Sequence, residues 1–231
     1  MKQVAAGYRT VAPDLPGFGR SDLLDGAHGW KDLMGWISGF LDALSITKVH
    51  LAVHDWGGLL GLPWLCENPE RVLSLLVTDT SFSSTDRWHA LAQQWREPGT
   101  GEESLAQLTE EGFAVLMSAS GSDVDPTAVK EYYRGLATEE LRAAKLQMYR
   151  SLDFEMFAPY MGRFEEIARG KSRVVWGAND LFVLAKVANR FGERLGAEIT
   201  ILEGAGHFLQ EDAGAEVGRL HLEFLSSIKS A

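Results

Sequence analysis

Cysteine is nearly absent from this sequence: Cys66 stands alone among 231 residues, so no internal disulfide can form. A lone cysteine set among apolar neighbours reads as a small buried side chain. Positive charge is also scarce. There are 22 lysines and arginines against 32 acidic residues, a formal net charge of -10. That balance argues against a nucleic-acid partner, which needs basic patches to meet phosphates. Long apolar runs are missing as well. None approaches the roughly 18 residues of a membrane span, and no signal-peptide pattern opens the chain, so no membrane partner and a cytoplasmic location are expected. Internal repeats and low-complexity segments are absent, no metal or cofactor is expected, and the oligomeric state is left open. What is present, 45% hydrophobic and 23% charged residues, suits one globular core with room for an inserted subdomain.

The chain is organised around Val49-His50-Leu51-Ala52-Val53-His54-Asp55-Trp56-Gly57-Gly58. It starts as a short apolar run rich in β-branched residues, which reads as a buried strand. It breaks at His54-Asp55-Trp56-Gly57 and continues into a helix-compatible segment, Leu59 to Glu67. A strand, a sharp turn and a helix, with a reactive residue at the apex and small residues after it, is the nucleophile elbow of α/β-hydrolases. Here the usual serine is replaced by Asp55. A carboxylate is ordinarily ionised at neutral pH and needs no base to activate it. It suits attack on an sp³ carbon carrying a leaving group, which gives an ester that water must later cleave.

The rest of the sequence supplies the frame. Met1 to Gly7 reads as the end of a helix, Tyr8 to Ala12 as a strand, and Pro13 to Asp22 as a turn-rich loop. Apolar residues at helical spacing from Trp30 to Leu44 predict a helix with one buried face, and Val72 to Val77 a strand closing at Thr78-Asp79-Thr80. From Ser81 to about Gly170 helical stretches replace strands: Thr85 to Glu97, Glu102 to about Ser118, one starting at Asp125-Pro126, and Thr138 to Ser151. Strand Arg173 to Trp176, a helix around Ala185 to Leu195, strand Glu198 to Leu202 and a helix from about Ala215 to Ile228 complete the chain. The expected fold is therefore α/β, an α/β-hydrolase fold with a mostly parallel sheet and helices on both faces. Residues 1–80 and 171–231 would form its core, and 81–170 an inserted helical cap.

Asp55, Asp180 and His207 each fall just after a strand, in the order nucleophile, acid, histidine expected of this fold. Loops at strand C-termini converge on one crevice, so the three can meet. His207 is placed to act as general base on water, with an acidic partner to hold its ring. His28 and His89 read as exposed, His50 as part of the strand, His221 as part of the last helix, and His54 as a neighbour of the site.

Val53-His54-Asp55-Trp56-Gly57-Gly58, Ala12-Pro13-Asp14-Leu15-Pro16-Gly17-Phe18-Gly19-Arg20-Ser21-Asp22 and Gly206-His207-Phe208-Leu209-Gln210-Glu211-Asp212 together resemble the haloalkane dehalogenases. The resemblance runs over essentially the whole chain. It implies that Asp55 displaces halide from a small apolar halogenated substrate, and that water activated by His207 hydrolyses the ester to alcohol and halide. It gives Trp56 the role of halide donor through its indole N–H and of oxyanion donor through its backbone N–H. It points to Trp95 in the first cap helix as a second halide donor, with Trp88 as the alternative. Asp180 matches the commoner acid loop of that family, and Asp79 occupies the other position that it uses. Epoxide hydrolases share the fold and His-Asp-Trp-Gly. Met148-Tyr149-Arg150-Ser151 resembles one of their two cap tyrosine segments, whereas Leu91 stands where the second tyrosine would be and Val53 where a glycine is usual. A crippled, non-catalytic member of the fold is the third reading. The resemblance begins at Met1 partway through the first core helix, which implies that three strands and an oxyanion loop are lacking, and a poorly active, marginally stable chain is expected.

Overall fold

The computed structural model describes residues 2–26 and 28–229. Its centre is a four-stranded sheet in the order β1 (Val49–His54), β2 (Val72–Thr78), β3 (Ser172–Gly177), β4 (Glu198–Leu202), every neighbouring pair parallel. Parallel neighbours require a crossover. Helix α3 (Trp56–Glu67) supplies the first and α10 (Lys186–Leu195) the last. Between β2 and β3 run α4 (Ala90–Arg96), α5 (Thr100–Gln107), α6 (Glu110–Ser118), α7 (Pro126–Tyr133), α8 (Glu139–Arg150) and α9 (Met161–Ala168). Helices α1 (Lys2–Ala5) and α2 (Trp30–Ala43) precede the sheet; α11 (Leu209–Asp212) and α12 (Gly214–Lys229) follow it.

The two-residue period of a strand sorts the core. Leu75, Val77, Val174 and Trp176 point to one face, where α3 and α10 bring Leu60, Leu62, Leu65, Val187 and Phe191. Leu76 and Val175 point to the other, against Val217 and Leu220 of α12. Both faces of the inner strands are thus covered, which is why β2 and β3 are near-continuous apolar runs. Helix α3 is apolar all round because it is enclosed on all sides. Its Pro63 has no N–H to give the carbonyl of Leu59 four residues back. The indole of Trp30 fills that place, donating to the Leu59 oxygen at 2.7 Å.

Three expectations need correction. Tyr8 to Ala12 forms no strand. The sheet runs in the order β1-β2-β3-β4, and this segment takes no place in it. The helix expected over Glu102 to Ser118 is two helices, because Thr109 leaves the helical path and caps α6 by accepting from Gly112 N–H at 3.1 Å. His28 is buried, at 4% exposure, its Nε2 donating to the Pro16 carbonyl at 2.8 Å. Helix α9 went unread in the sequence, and α4 starts five residues after the expected Thr85.

Helix α3 leaves the end of β1 so tightly that Gly58 lies against Thr80, just past β2. A methyl group on Gly58 would sit 2.1 Å from the Thr80 hydroxyl and 2.7 Å from its Cβ, while one on Gly57 would meet nothing within 4 Å. Gly58→Ala should therefore lower stability by about 1–3 kcal/mol through overpacking, and Gly57→Ala should leave it nearly unchanged. Urea unfolding of the two variants measures the difference; equal midpoints would mean that this contact does not set the turn.

Candidate active site

The turn between β1 and α3 is strained. Asp55 has φ 44° and ψ −119°, a conformation that a residue with a side chain adopts only under constraint. Four hydrogen bonds impose it. Asp55 N–H donates to the Asp79 carbonyl at 3.1 Å, and the Asp55 carbonyl accepts from Gly58 N–H at 2.9 Å, Leu59 N–H at 3.3 Å and the Thr80 hydroxyl at 2.7 Å. The result is a carboxylate held up at the C-terminal edge of the sheet, its side chain 37% exposed. Behind it the first amides of α3, Trp56 N–H included, are free of intrahelical bonding by their position in the helix.

His207 reaches the same point from beyond β4. Its Nε2 lies 3.6 Å from Asp55 Oδ1, and its Nδ1 lies 2.9 Å from Asp180 Oδ2. A carboxylate only accepts, so Nδ1 carries the hydrogen of that bond and the lone pair of the neutral ring faces Asp55. The other oxygen of Asp180 accepts from Phe182 N–H at 2.7 Å and Val183 N–H at 2.9 Å. Asp180 is thereby fixed on both oxygens. Burial is the largest single influence on His207 and disfavours its charged form, but Asp180, Asp55 and Asp79 together hold its pKa above the ordinary histidine value. His54 stands behind it, donating from Nε2 to the His207 carbonyl at 2.8 Å, and burial and His207 keep His54 below its usual pKa.

Asp79 is also there, though it does not touch the imidazole. One of its oxygens accepts from Gly177 N–H at 2.9 Å, and the other is buried without a hydrogen-bond partner. Burial first, and then the charge of Asp180, push Asp79 up to about 8, against the pull of the Gly177 N–H. Burial thus favours the protonated, neutral form of Asp79. The sequence, which set Asp79 and Asp180 as competitors for one place, gave no sign that both would lie at the site.

The helices between β2 and β3 roof the site. Gly206 faces the backbone of Gly121 so closely that a Cβ would come within 2.2 Å of it. In this contact His207 N–H donates to the Ser120 carbonyl at 3.3 Å, and Phe208 N–H to Ser122 Oγ at 2.8 Å. Arg150 locks α8 to α5 by a two-pronged pairing with Glu102 at 2.6 and 2.8 Å, and Arg96 Nη1 donates to the Leu152 carbonyl at 2.5 Å. This bracing presents an aromatic wall. Tyr149 stands edge-on to Trp56, with ring centroids 4.9 Å apart. Trp88 stacks on Trp56 at 5.7 Å. Trp95 instead packs edge-on to Tyr149 at 5.2 Å, and the indole nitrogens of both Trp88 and Trp95 are buried without a hydrogen-bond partner. So Asp55, His207, Asp180, Asp79, Trp56 and Trp88 assemble at one place, while Trp95 is reached through Tyr149. Among the described residues no cluster of His, Cys, Asp and Glu could hold a metal ion.

A family model described as the alpha/beta hydrolase family matches residues 1–220. A haloalkane dehalogenase from Psychrobacter cryohalolentis is 27% identical over 242 aligned residues, which cover 96% of this chain and 75% of that protein. Epoxide hydrolase 2 from Siraitia grosvenorii is 25% identical, covering 95% of this chain and 83% of that one. A solved structure, a loop variant of a haloalkane dehalogenase from Bradyrhizobium elkanii, shares the fold with a TM-score of 0.82 at 22% identity, over the whole of this chain and 84% of that one.

The two acids should separate on substitution. Asp180→Asn leaves the ring without its acceptor and should cut turnover by up to about 10⁴. Asp79→Asn keeps an oxygen for Gly177 N–H and the neutral charge of the protonated acid, and should stay within about tenfold of the parent. It should also change the pH dependence of stability. A folded pKa of about 8, raised from 3.8, means that the stability contributed by the Asp79 proton is present at low pH and is lost as pH rises through about 8. Wild-type Tm should therefore fall relative to Asp79→Asn between about pH 4 and pH 8 and run parallel to it above that. Tm curves parallel within that window would contradict the protonated form, and the reverse ranking of turnover would hand the ring to Asp79.

Proposed function

The chain belongs to the alpha/beta hydrolase family, and within it we propose a hydrolase that cleaves the carbon–halogen bond of small haloalkanes through an ester on Asp55. One observation carries this reading: a carboxylate, not a hydroxyl, stands on the strained turn, with the His207 ring 3.6 Å away and backed by Asp180. The contact is too long for a hydrogen bond, which leaves the carboxylate free to attack. Asp55 displaces halide from the sp³ carbon, forming a C–O bond as the C–halogen bond breaks. The halide leaves toward the indole N–H groups of Trp56 and Trp88. Neutral His207 then takes a proton from water as the water attacks the ester carbonyl, and Trp56 N–H receives the developing oxyanion. The tetrahedral intermediate collapses to the alcohol and the Asp55 carboxylate. His207 passes its proton to solvent, with Asp180 stabilising the imidazolium in between. No external oxidant or metal is called on. The helices over the site act as a cap that excludes bulk water, and of its tryptophans Trp88 is the second halide donor because it is the one stacked on Trp56.

A second reading has an observation of its own. An epoxide opened by the same carboxylate needs a proton for its oxygen. The Tyr149 phenol, held protonated above its ordinary range by burial and by the charge of Asp55, stands beside Trp56. Bromide release from 1-bromohexane and diol formation from styrene oxide separate the two. Dehalogenation should dominate and weaken at least about tenfold in Trp88→Phe, which keeps the packing and removes the N–H. Diol formation that exceeds bromide release and disappears in Tyr149→Phe would replace the first reading by the second.

A further inference from the structure

Lys145 is a cation in the roof of the site that no part of this chemistry uses. It lies four residues ahead of Tyr149 on α8, so the two project from the same face of that helix. Its side chain is half-buried, with the ammonium 3.7 Å from the ring centroid of Phe18, in the Leu15–Arg20 loop. Among the described residues it takes part in no ion pair and no side-chain hydrogen bond, and the one charge that acts on it is the carboxylate of Asp55. Burial pulls Lys145 down to about 8, yet at neutral pH it still carries its proton. A half-buried ammonium that meets an aromatic face but no carboxylate or carbonyl has donors left to satisfy.

From these positions we propose that Lys145 receives an anionic group of the substrate, and that the enzyme prefers haloalkanoates, halides with a carboxylate a short alkyl chain away from the reacting carbon. The inference rests on the dehalogenating role of Asp55. The geometry sets the length of that chain. Tyr149 stands over Trp56, where the reacting carbon lies, and Lys145 is one helical turn further along, about 6 Å at 1.5 Å per residue. Five methylene-length bonds span such a gap. The electrostatics point the same way. An anion entering beside the carboxylates of Asp55 and Asp180 is repelled, and a facing ammonium offsets that repulsion where a wall of aromatic rings would not. The Phe18 ring supports the cation through its face and leaves the remaining ammonium hydrogens free for a carboxylate.

The test compares kcat/KM for 6-bromohexanoate and 1-bromohexane in the parent, Lys145→Met and Lys145→Arg. The parent should favour the bromoacid. Lys145→Met should reduce that preference by about tenfold or more, and Lys145→Arg should keep most of it. A second arm needs no turnover: hexanoate, but not hexanol, should raise the Tm of the parent and of Lys145→Arg, and not that of Lys145→Met. If Lys145→Met loses activity equally on both substrates, the residue is only a strut for the Phe18 loop and the proposal falls. It falls also if the preference is unchanged. If the parent releases bromide from neither substrate, the dehalogenase reading fails and the hexanoate shift alone judges Lys145: a shift lost in Lys145→Met sustains the anion site, and no shift removes it.

Discussion

The backbone of Asp55 is the constraint on which the rest of this structure depends. A non-glycine residue at φ 44° and ψ −119° costs on the order of 1–3 kcal/mol, and the surroundings hold it there. The Asp79 carbonyl and the Thr80 hydroxyl come from the end of β2, and the amides of Gly58 and Leu59 from the first turn of α3. The glycine at position 58 is needed because Thr80 occupies the space that a side chain would take. Sheet, helix and turn therefore fix one another. What they hold in place is a single carboxylate, lifted clear of the sheet and facing an imidazole.

The electrostatics follow from putting three acids near one histidine. Asp180 is saturated with donors and orients the ring. Asp79, buried and next to Asp180, is driven to keep its proton. Its neutral form spares the site a third negative charge. Asp55 is left as the exposed member, facing a ring that the acids together bias toward its charged form. Such a division of roles among chemically identical groups is set by environment alone. The -10 net charge of the chain is no guide to it.

Much of this was legible in the sequence, and the reason is physical. Asp55, Asp180 and His207 sit where apolar, β-branched runs end, and in a parallel sheet those ends converge. Local patterning was enough to place them. It misled at Tyr8 to Ala12, where strand propensity is present but the segment takes no place in the sheet, because a strand exists only as part of a ladder. It also missed the break at Thr109, where one side-chain cap outweighs a continuous helical pattern. The two tryptophans were beyond its reach. Trp95 lies inside α4 and Trp88 just before it, and which indole meets Trp56 is decided by how Arg96 and Arg150 brace α4, α5 and α8 together. Lys145 carried one signal, its four-residue spacing from Tyr149, which gains meaning only once α8 is known to face Asp55.

The central claim is that Asp55 itself forms a covalent bond to the substrate carbon and that His207 acts only in removing it. Intact-protein mass of His207→Ala after exposure to 1-bromohexane tests it directly. The account requires a stable gain of one hexyl group per chain, located on Asp55 by peptide mapping and absent from the double variant His207→Ala with Asp55→Ala. A mass unchanged in His207→Ala while the folded parent still releases bromide, or an adduct that persists without Asp55, would contradict it.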